Sequence, residues 1–364
     1  MTGPARSEVS FVVPGDLETR TGGYAYDRRI VAGLRAAGWS VHVHGLDAGF
    51  PFPNAAARAH AAATFAAIPD GRFVLADGLA FGALPDDIAP HAARLVIVAL
   101  VHHPLALETG LTASEAAALE VSERRALGLA RAVVVTSRAT ARELERYAVA
   151  PDRIAVVEPG TDPAPIARST IDVNRSRARD LSLLCVATLT PRKGHALLLD
   201  ALASGQDSRW RLRCAGSIDR DGDTTARVLD RIRSHGFEGR VDLLGDLDAA
   251  GLAVEYDRAD LFTLASLYEG YGMAVAEAIA HGLPVVATAT GAIADLVGTD
   301  AGLVVAPGDV RALAAALRRA LGDDDFRARL ADGARRARAR LPTWEQATAR
   351  MAAALERARG LAYG

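Results

Sequence analysis

An α/β protein built from two doubly wound parallel sheets is the architecture this sequence predicts. Three observations carry that expectation. Short runs rich in Val, Leu and Ile alternate with Ala-rich stretches of helical period along the whole chain. The alternation breaks once, at "EPGTDPAPIARSTIDVNRSRARD" (158–180), which is rich in Pro, Arg and Asp and has no sustained period. The chain has 364 residues, too many for one ordinary core. Runs apolar throughout imply strands covered by helices on both faces.

Before the break, strands are expected at 9–13, 40–44, 72–76, 95–101, 132–136 and 154–158. Between the first two, "YAYDRRIVAGLRAAG" puts Tyr26, Ile30, Leu34 and Ala37 on one helical face and stops at Gly38. After the break, strands are expected at 181–187, 210–216, 241–245, 260–265, 284–288 and 302–306. The end, from Val310 to Leu361, reads as helix with a break near Pro342. The expected division is 1–160, a linker at 161–180, and 181–342, with a cleft between the two domains.

Net charge is −2, and residues 1–160 hold 15 Arg against 17 Asp plus Glu. No nucleic-acid footprint shows, and no membrane-docking face is indicated. Cys185 and Cys214 lie in apolar runs without C-x-x-C spacing and read as reduced core residues of a cytoplasmic protein. "MTGPARSEVS" lacks a signal-peptide core, and the longest apolar run, 95–101, is too short to span a bilayer. The chain contains 41 Arg and a single Lys, Lys193, in "TPRKGHALLLDAL".

Open α/β sheets bind ligands beyond the carboxyl ends of their strands. The richest such loop is "LASLYEGYGMAVAEAIAHGLPVVAT" (264–288). Gly270 and Gly272 let a ligand approach the backbone, and the following helix start offers free N–H groups to a phosphate. Glu277, eight positions after Glu269, leans back toward the same loop. Two carboxylates beside a phosphate cradle suit a ligand with both sugar hydroxyls and phosphates.

This stretch, with its Glu-x7-Glu, closely resembles the signature of retaining glycosyltransferases of family 4, the glycogen-synthase-like group 1 type. The resemblance is strongest over 181–310 and looser before 160. It implies a GT-B fold: two Rossmann-like domains, the N-terminal on the acceptor side and the C-terminal holding a nucleoside-diphosphate sugar. It also implies that the last helix, 343–364, crosses back to the N-terminal domain. It places Lys193 against the donor diphosphate, with Arg192 as second cation, since Ala187 and Thr188 stand where many members carry Gly-Arg. By the same resemblance Glu269 and His102 orient the sugar, with His102 favoured over His103 at the end of "LVIVALV", and Glu277 meets the ribose hydroxyls. Gly270, Tyr271, Gly272, Met273 and Ala274 form the donor loop, Gly22 and Gly23 match the family's glycine loop, and Leu247 is the candidate beside the base.

The implied reaction is transfer of a sugar, with retention, to an acceptor expected to be a small molecule. No cofactor and no metal are expected. Asp219 and Asp221 form an Asp-x-Asp but read as solvated, and zinc ligands at suitable spacing around His102 are lacking. A sugar phosphorylase on the same fold, or a non-catalytic sugar-nucleotide-binding protein, are the alternatives. A dehydrogenase is disfavoured because the nearest fingerprint, "GYGMAV", has Val275 where a small residue is needed. A glycosidase would not need a diphosphate cradle. The motifs carry no nucleotide base, sugar, acceptor identity or oligomeric state.

Overall fold

The computed structural model describes residues 7–171, 180–205 and 209–361. Positions 172–179 of the expected linker and 362–364 of the expected last helix lie outside the described residues. The chain divides into two compact units, Met1–Gly160 with Pro342–Gly364, and Thr161–Leu341.

Unit 1 holds β1 (Glu8–Pro14), β2 (Ser40–Leu46), β3 (Phe73–Asp77), β4 (Val96–Val101), β5 (Ala132–Val135) and β6 (Ile154–Val156). They pair in parallel in the order β2-β1-β3-β4-β5-β6. Every residue of β4 is buried, as an apolar run between two helical layers requires. Unit 2 holds β7 (Leu181–Val186), β8 (Trp210–Ala215), β9 (Val241–Gly245), β10 (Leu261–Leu264), β11 (Val285–Thr288) and β12 (Gly302–Val305). Their order is β12-β11-β10-β7-β8-β9, again parallel. Each unit has its own apolar core, one built around Phe65 and Phe81, the other around Trp210 and Phe262.

In both sheets chain order reverses at one point: between β1 and β3 in unit 1, and between β7 and β10 in unit 2. Helices leave such a pair toward opposite faces, so the carboxyl ends open a crevice there.

Local differences from the sequence expectation have local causes. β3 runs one residue further, to Asp77, which also caps the next turn by accepting from the Leu79 N–H at 2.8 Å. The segment after Gly160 forms a short helix, Arg168–Ile171, and Arg168 is tied to Asp257 at 2.6 Å. The C-terminal helical region breaks at Asp323 as well, where a carboxylate caps the second of two helices by accepting from the Phe326 N–H at 2.8 Å. Asp221, expected to be solvated, is likewise a helix cap and accepts from the Thr224 N–H. Among the described residues no helix is long and apolar enough to cross a membrane.

The last helix, Trp344–Gly360, lies in unit 1 against the helix Gly22–Ala36. Arg29 stacks over Trp344 at 4.8 Å, and Arg350 pairs with Glu158 at 3.4 Å. Gly33 makes the approach possible: a Cβ there would sit 2.0 Å from Thr348 Oγ1 and 3.1 Å from its Cβ, so Thr348 must turn and the helices must also give by a few tenths of an ångström. Gly33→Ala is therefore expected to destabilise by about 1–3 kcal/mol, the range for overpacking a filled site. Denaturant unfolding of the variant checks this, and an unchanged midpoint would contradict the packing.

Candidate active site

In unit 2 the crevice between β7 and β10 is built by two loops pinned to each other. The loop after β7 makes a tight turn, Pro191–Lys193, and enters the helix His195–Ala203 through Gly194, whose φ is +66°. A Cβ on Gly194 would lie 2.0 Å from the Ala265 carbonyl oxygen at the end of β10, so glycine is required twice over. The Leu267 N–H donates to the Arg192 carbonyl at 2.7 Å, and Arg192 Nη1 donates to the Tyr268 carbonyl at 3.0 Å.

These contacts bring Lys193 to Glu269. Nζ lies 2.6 Å from Oε1, and Arg192 Nη1 lies 3.8 Å from Oε2. The Ser266 hydroxyl also donates to Oε1, at 2.7 Å. Burial works to raise the Glu269 carboxyl, but the charges of Lys193 and Arg192 and the bonds from Lys193 and Ser266 outweigh it and hold it below its ordinary range. The corner thus carries two cations against one ionised carboxylate.

The helix Met273–Ala280 starts beside it from Gly272, at φ +98°, with no side chain capping its first turn. Its free N–H groups and dipole end suit an anion. A Cβ on Gly272 would meet Ile293 at 2.7 Å. Glu277 Oε2 accepts from the Tyr256 hydroxyl at 2.9 Å, and burial raises the carboxyl against that bond. Tyr256 is missing from the sequence reading because it lies 21 positions away on another helix, Ala249–Arg258. Gly291 is a second omission. At φ +53° it passes under the loop after β10 so closely that a Cβ would lie 2.2 Å from the Glu269 carbonyl and 2.6 Å from that of Gly270.

Other expected donor contacts fare differently. The ring of Tyr271 is buried in a small cluster with Ala276 and Ala292, so its side chain packs the loop from inside. The Ala274 carbonyl accepts from Tyr256 at 3.3 Å, and Met273 is half-buried. Leu247 follows β9, the edge strand two places from β7, and is half-buried there.

In unit 1 the crevice lies between β1 and β3. Thr21 caps the helix Gly22–Ala36, accepting from the Tyr24 N–H. Gly22 has open space around its missing Cβ, and a Cβ on Gly23 would make only ordinary contact with His102 at 3.6 Å. Neither glycine is demanded by the protein's own packing, which leaves clearance for something outside the chain.

His102 follows β4. Its Nε2 lies 3.1 Å from Asp27 Oδ1 and 3.4 Å from Asp77 Oδ2. Tyr26 meets the ring edge-on at 5.4 Å, and the Thr136 hydroxyl donates to the His102 carbonyl. Burial alone would lower the imidazole, but Asp27, then Asp77, raise it to about 10. Burial raises Asp27, its His102 contacts opposing the rise and Asp77 adding to it. Both acids face one nitrogen, so the ring is an imidazolium with Nδ1–H as its remaining donor. It can orient and polarise a ligand oxygen; it is not a base at neutral pH. His103 instead pairs with Glu108 at 3.2 Å.

The sequence offered no zinc ligands near His102 by spacing, yet the fold gathers Asp27, Asp77 and His102 within 4.8 Å, and likewise Cys185, His195 and Cys214. In the first group the hydrogen bonds already engage the nitrogen a metal would need. In the second, both cysteines are free and buried.

The stabilisation from His102 is full below imidazole's ordinary pKa of about 6.5 and is lost as pH rises through about 10. The His102 ring signals are therefore expected to stay in the protonated position from neutral pH to about 9, and Asp27→Asn to bring their midpoint down by more than about one unit. NMR titration reads this; a wild-type midpoint near 6.5 would refute the paired geometry.

A family model described as "Glycosyl transferases group 1" matches residues 168–337, and one described as "Glycosyltransferase Family 4" matches 25–165. The MMP alpha-(1->4)-mannosyltransferase of Mycolicibacterium hassiacum is 27% identical over 277 residues, covering 72% of this chain and 65% of that protein. A D-inositol 3-phosphate glycosyltransferase of Xylanimonas cellulosilytica is 33% identical over 244 residues, covering 64% of this chain and 58% of that protein. The chain thus spans less than two thirds of either curated relative. Among solved structures, sucrose-phosphate synthase from Thermosynechococcus elongatus superposes with a TM-score of 0.81 at 22% identity, covering 97% of this chain and 99% of that one. Anabaena HepE, solved with UDP and glucose, gives 0.75 at 19%, covering 97% and 100%. With both halves matched by models of one superfamily and the whole chain following its fold, the protein belongs to the family 4, group 1 glycosyltransferases of GT-B fold.

Proposed function

We propose that the protein is a retaining, metal-independent glycosyltransferase that moves a hexosyl group from a nucleoside-diphosphate sugar to a small acceptor alcohol. The observation that carries this reading is the Lys193–Arg192–Glu269 corner beside the uncapped helix start at Gly272. Two cations beside a helix start that no side chain caps, at a sheet's switch point, suit a diphosphate. HepE, a protein of the same fold, was solved with UDP-glucose.

In this reading unit 2 holds the donor. Lys193 and Arg192 offset the charge that grows on the leaving diphosphate, the role a metal ion fills elsewhere. Glu277, steadied by Tyr256, accepts from the ribose hydroxyls. Glu269 orients the sugar on the donor side, and the His102 imidazolium orients a hydroxyl oxygen in unit 1. The bond from the anomeric carbon to the diphosphate oxygen breaks. A bond to the acceptor oxygen forms on the same face, and the acceptor's proton passes to the leaving phosphate oxygen. No protein nucleophile is required. The free, buried thiols of Cys185 and Cys214 suit the reducing cytoplasm.

The test is a thermal-shift panel of nucleoside diphosphates in EDTA and then in Mg²⁺. A ligand at roughly 100 times its dissociation constant adds about 2.7 kcal/mol, or roughly 2–4 °C per kcal/mol for a unit of this size. One diphosphate is expected to raise the midpoint without metal, and Lys193→Ala to abolish that rise. A Lys193→Ala protein with wild-type turnover and donor affinity would sink the assignment. Tyr256→Phe is expected to weaken the nucleoside diphosphate roughly fivefold, one hydrogen bond of about 1 kcal/mol, and to leave pyrophosphate binding unchanged. Equal weakening of both would mean that Tyr256 only supports the fold.

A further inference from the structure

Unit 1 contains a cavity of about 280 Å³ that the reaction described above does not use. It lies at the lower end of the roughly 300–1,000 Å³ range of small-molecule pockets. Its walls come from the two segments that also build the His102 corner. Leu79 lies two residues after Asp77, His103 follows His102 directly, and Leu105 comes three residues after it. The cavity is thus lined by residues adjoining Asp77 and His102 in the chain.

The lining is apolar at its core and negative at its rim. Leu105 and Leu119 are buried beneath it, while Phe52 is 54% and Leu79 37% exposed. Glu108 and Glu115 complete the rim. Glu108 accepts from the Thr109 N–H and from His103. Glu115 accepts from the Thr112 N–H and hydroxyl, and these bonds hold its carboxyl below the ordinary range. The Glu115 site stays anionic at neutral pH. The chain carries 41 arginines, yet none is among the residues lining this cavity, nor is the single lysine. His103 is the one group there able to carry positive charge, and Glu108 occupies it.

We infer that this cavity seats the acceptor, and that the acceptor is an uncharged hydroxyl compound with an apolar ring or chain. The inference rests on the glycosyl-transfer reading and narrows its substrate class. A phosphorylated polyol, the kind of acceptor that the name of one relative implies, would meet two carboxylates with no arginine to receive its phosphate. An apolar ring would cover Phe52 and Leu79 instead, and its hydroxyl would remain toward the His102 side.

The experiment measures binding to the full chain by calorimetry or saturation-transfer NMR. The probes are 4-nitrophenyl β-glucoside, methyl β-glucoside and an inositol phosphate. The aryl glucoside is expected to bind at least tenfold more tightly than the methyl glucoside, and the inositol phosphate not to saturate. Phe52→Ala and Leu79→Arg, both at exposed positions, are expected to weaken the aryl glucoside at least tenfold and to leave nucleoside-diphosphate affinity unchanged. Equal affinity for the two glucosides, no binding of either, indifference to both substitutions, or preference for the inositol phosphate overturns the inference. If the nucleoside diphosphate binds and the aryl glucoside does not, only the acceptor assignment falls. If no nucleoside diphosphate binds the wild-type protein, the glycosyl-transfer reading falls and takes the acceptor role with it.

Discussion

The ion pair between Lys193 and Glu269 is the contact on which the organisation of unit 2 depends. It joins the loops after β7 and β10, the two strands at which the sheet reverses direction. A buried pair of this kind adds little net stability, but removing one partner strands a desolvated charge at a cost of about 3–5 kcal/mol. The surrounding residues are selected for closeness: Gly194 lets the first loop touch the Ala265 carbonyl, and Gly291 lets a third segment pass under the second. In a chain otherwise purged of lysine, a compact ammonium on a flexible stem can hold Glu269 and still present protons to a further oxygen. A planar guanidinium has its directions fixed.

The two units arrange buried charge in opposite senses. At Lys193, two cations surround one carboxylate, and the surplus is positive. At His102, two carboxylates surround one imidazolium, and the Arg28 charge acts on Asp27 from outside the cluster. Each cluster keeps its central group ionised through its neighbours. A predominance of cations suits phosphate oxygens; a predominance of carboxylates suits hydroxyl groups that donate.

Legibility from sequence followed the reach of each interaction. All twelve expected strands occur, because an apolar run between helices is a local signal. Lys193, Gly272, Glu269 and Glu277 were readable because strand end, glycine and helix start adjoin in sequence. Asp27 and Asp77 were not, since they lie 75 and 25 positions from His102 and meet it only once β1, β3 and β4 are side by side. Asp77 left one trace, an acid at the carboxyl end of a strand. Tyr256 left none, because a tyrosine on a helix's apolar face looks like core until its hydroxyl is found on Glu277. Tyr271 has a packing role its place in the motif did not show: its ring completes a small core.

Unit 1 is assembled from both ends of the chain, with the helix Trp344–Gly360 laid against one formed by residues 22–36. On a ribosome, where synthesis runs at roughly 5–20 residues per second, everything between those segments emerges before the second of them. Unit 2, contiguous from Thr161 to Leu341, can complete its core while unit 1 still lacks a wall. During that interval the faces that later receive Met351 and Leu355 are uncovered. The amino-terminal half of the protein is thus the last to become native, and its surface is the one a chaperone would meet.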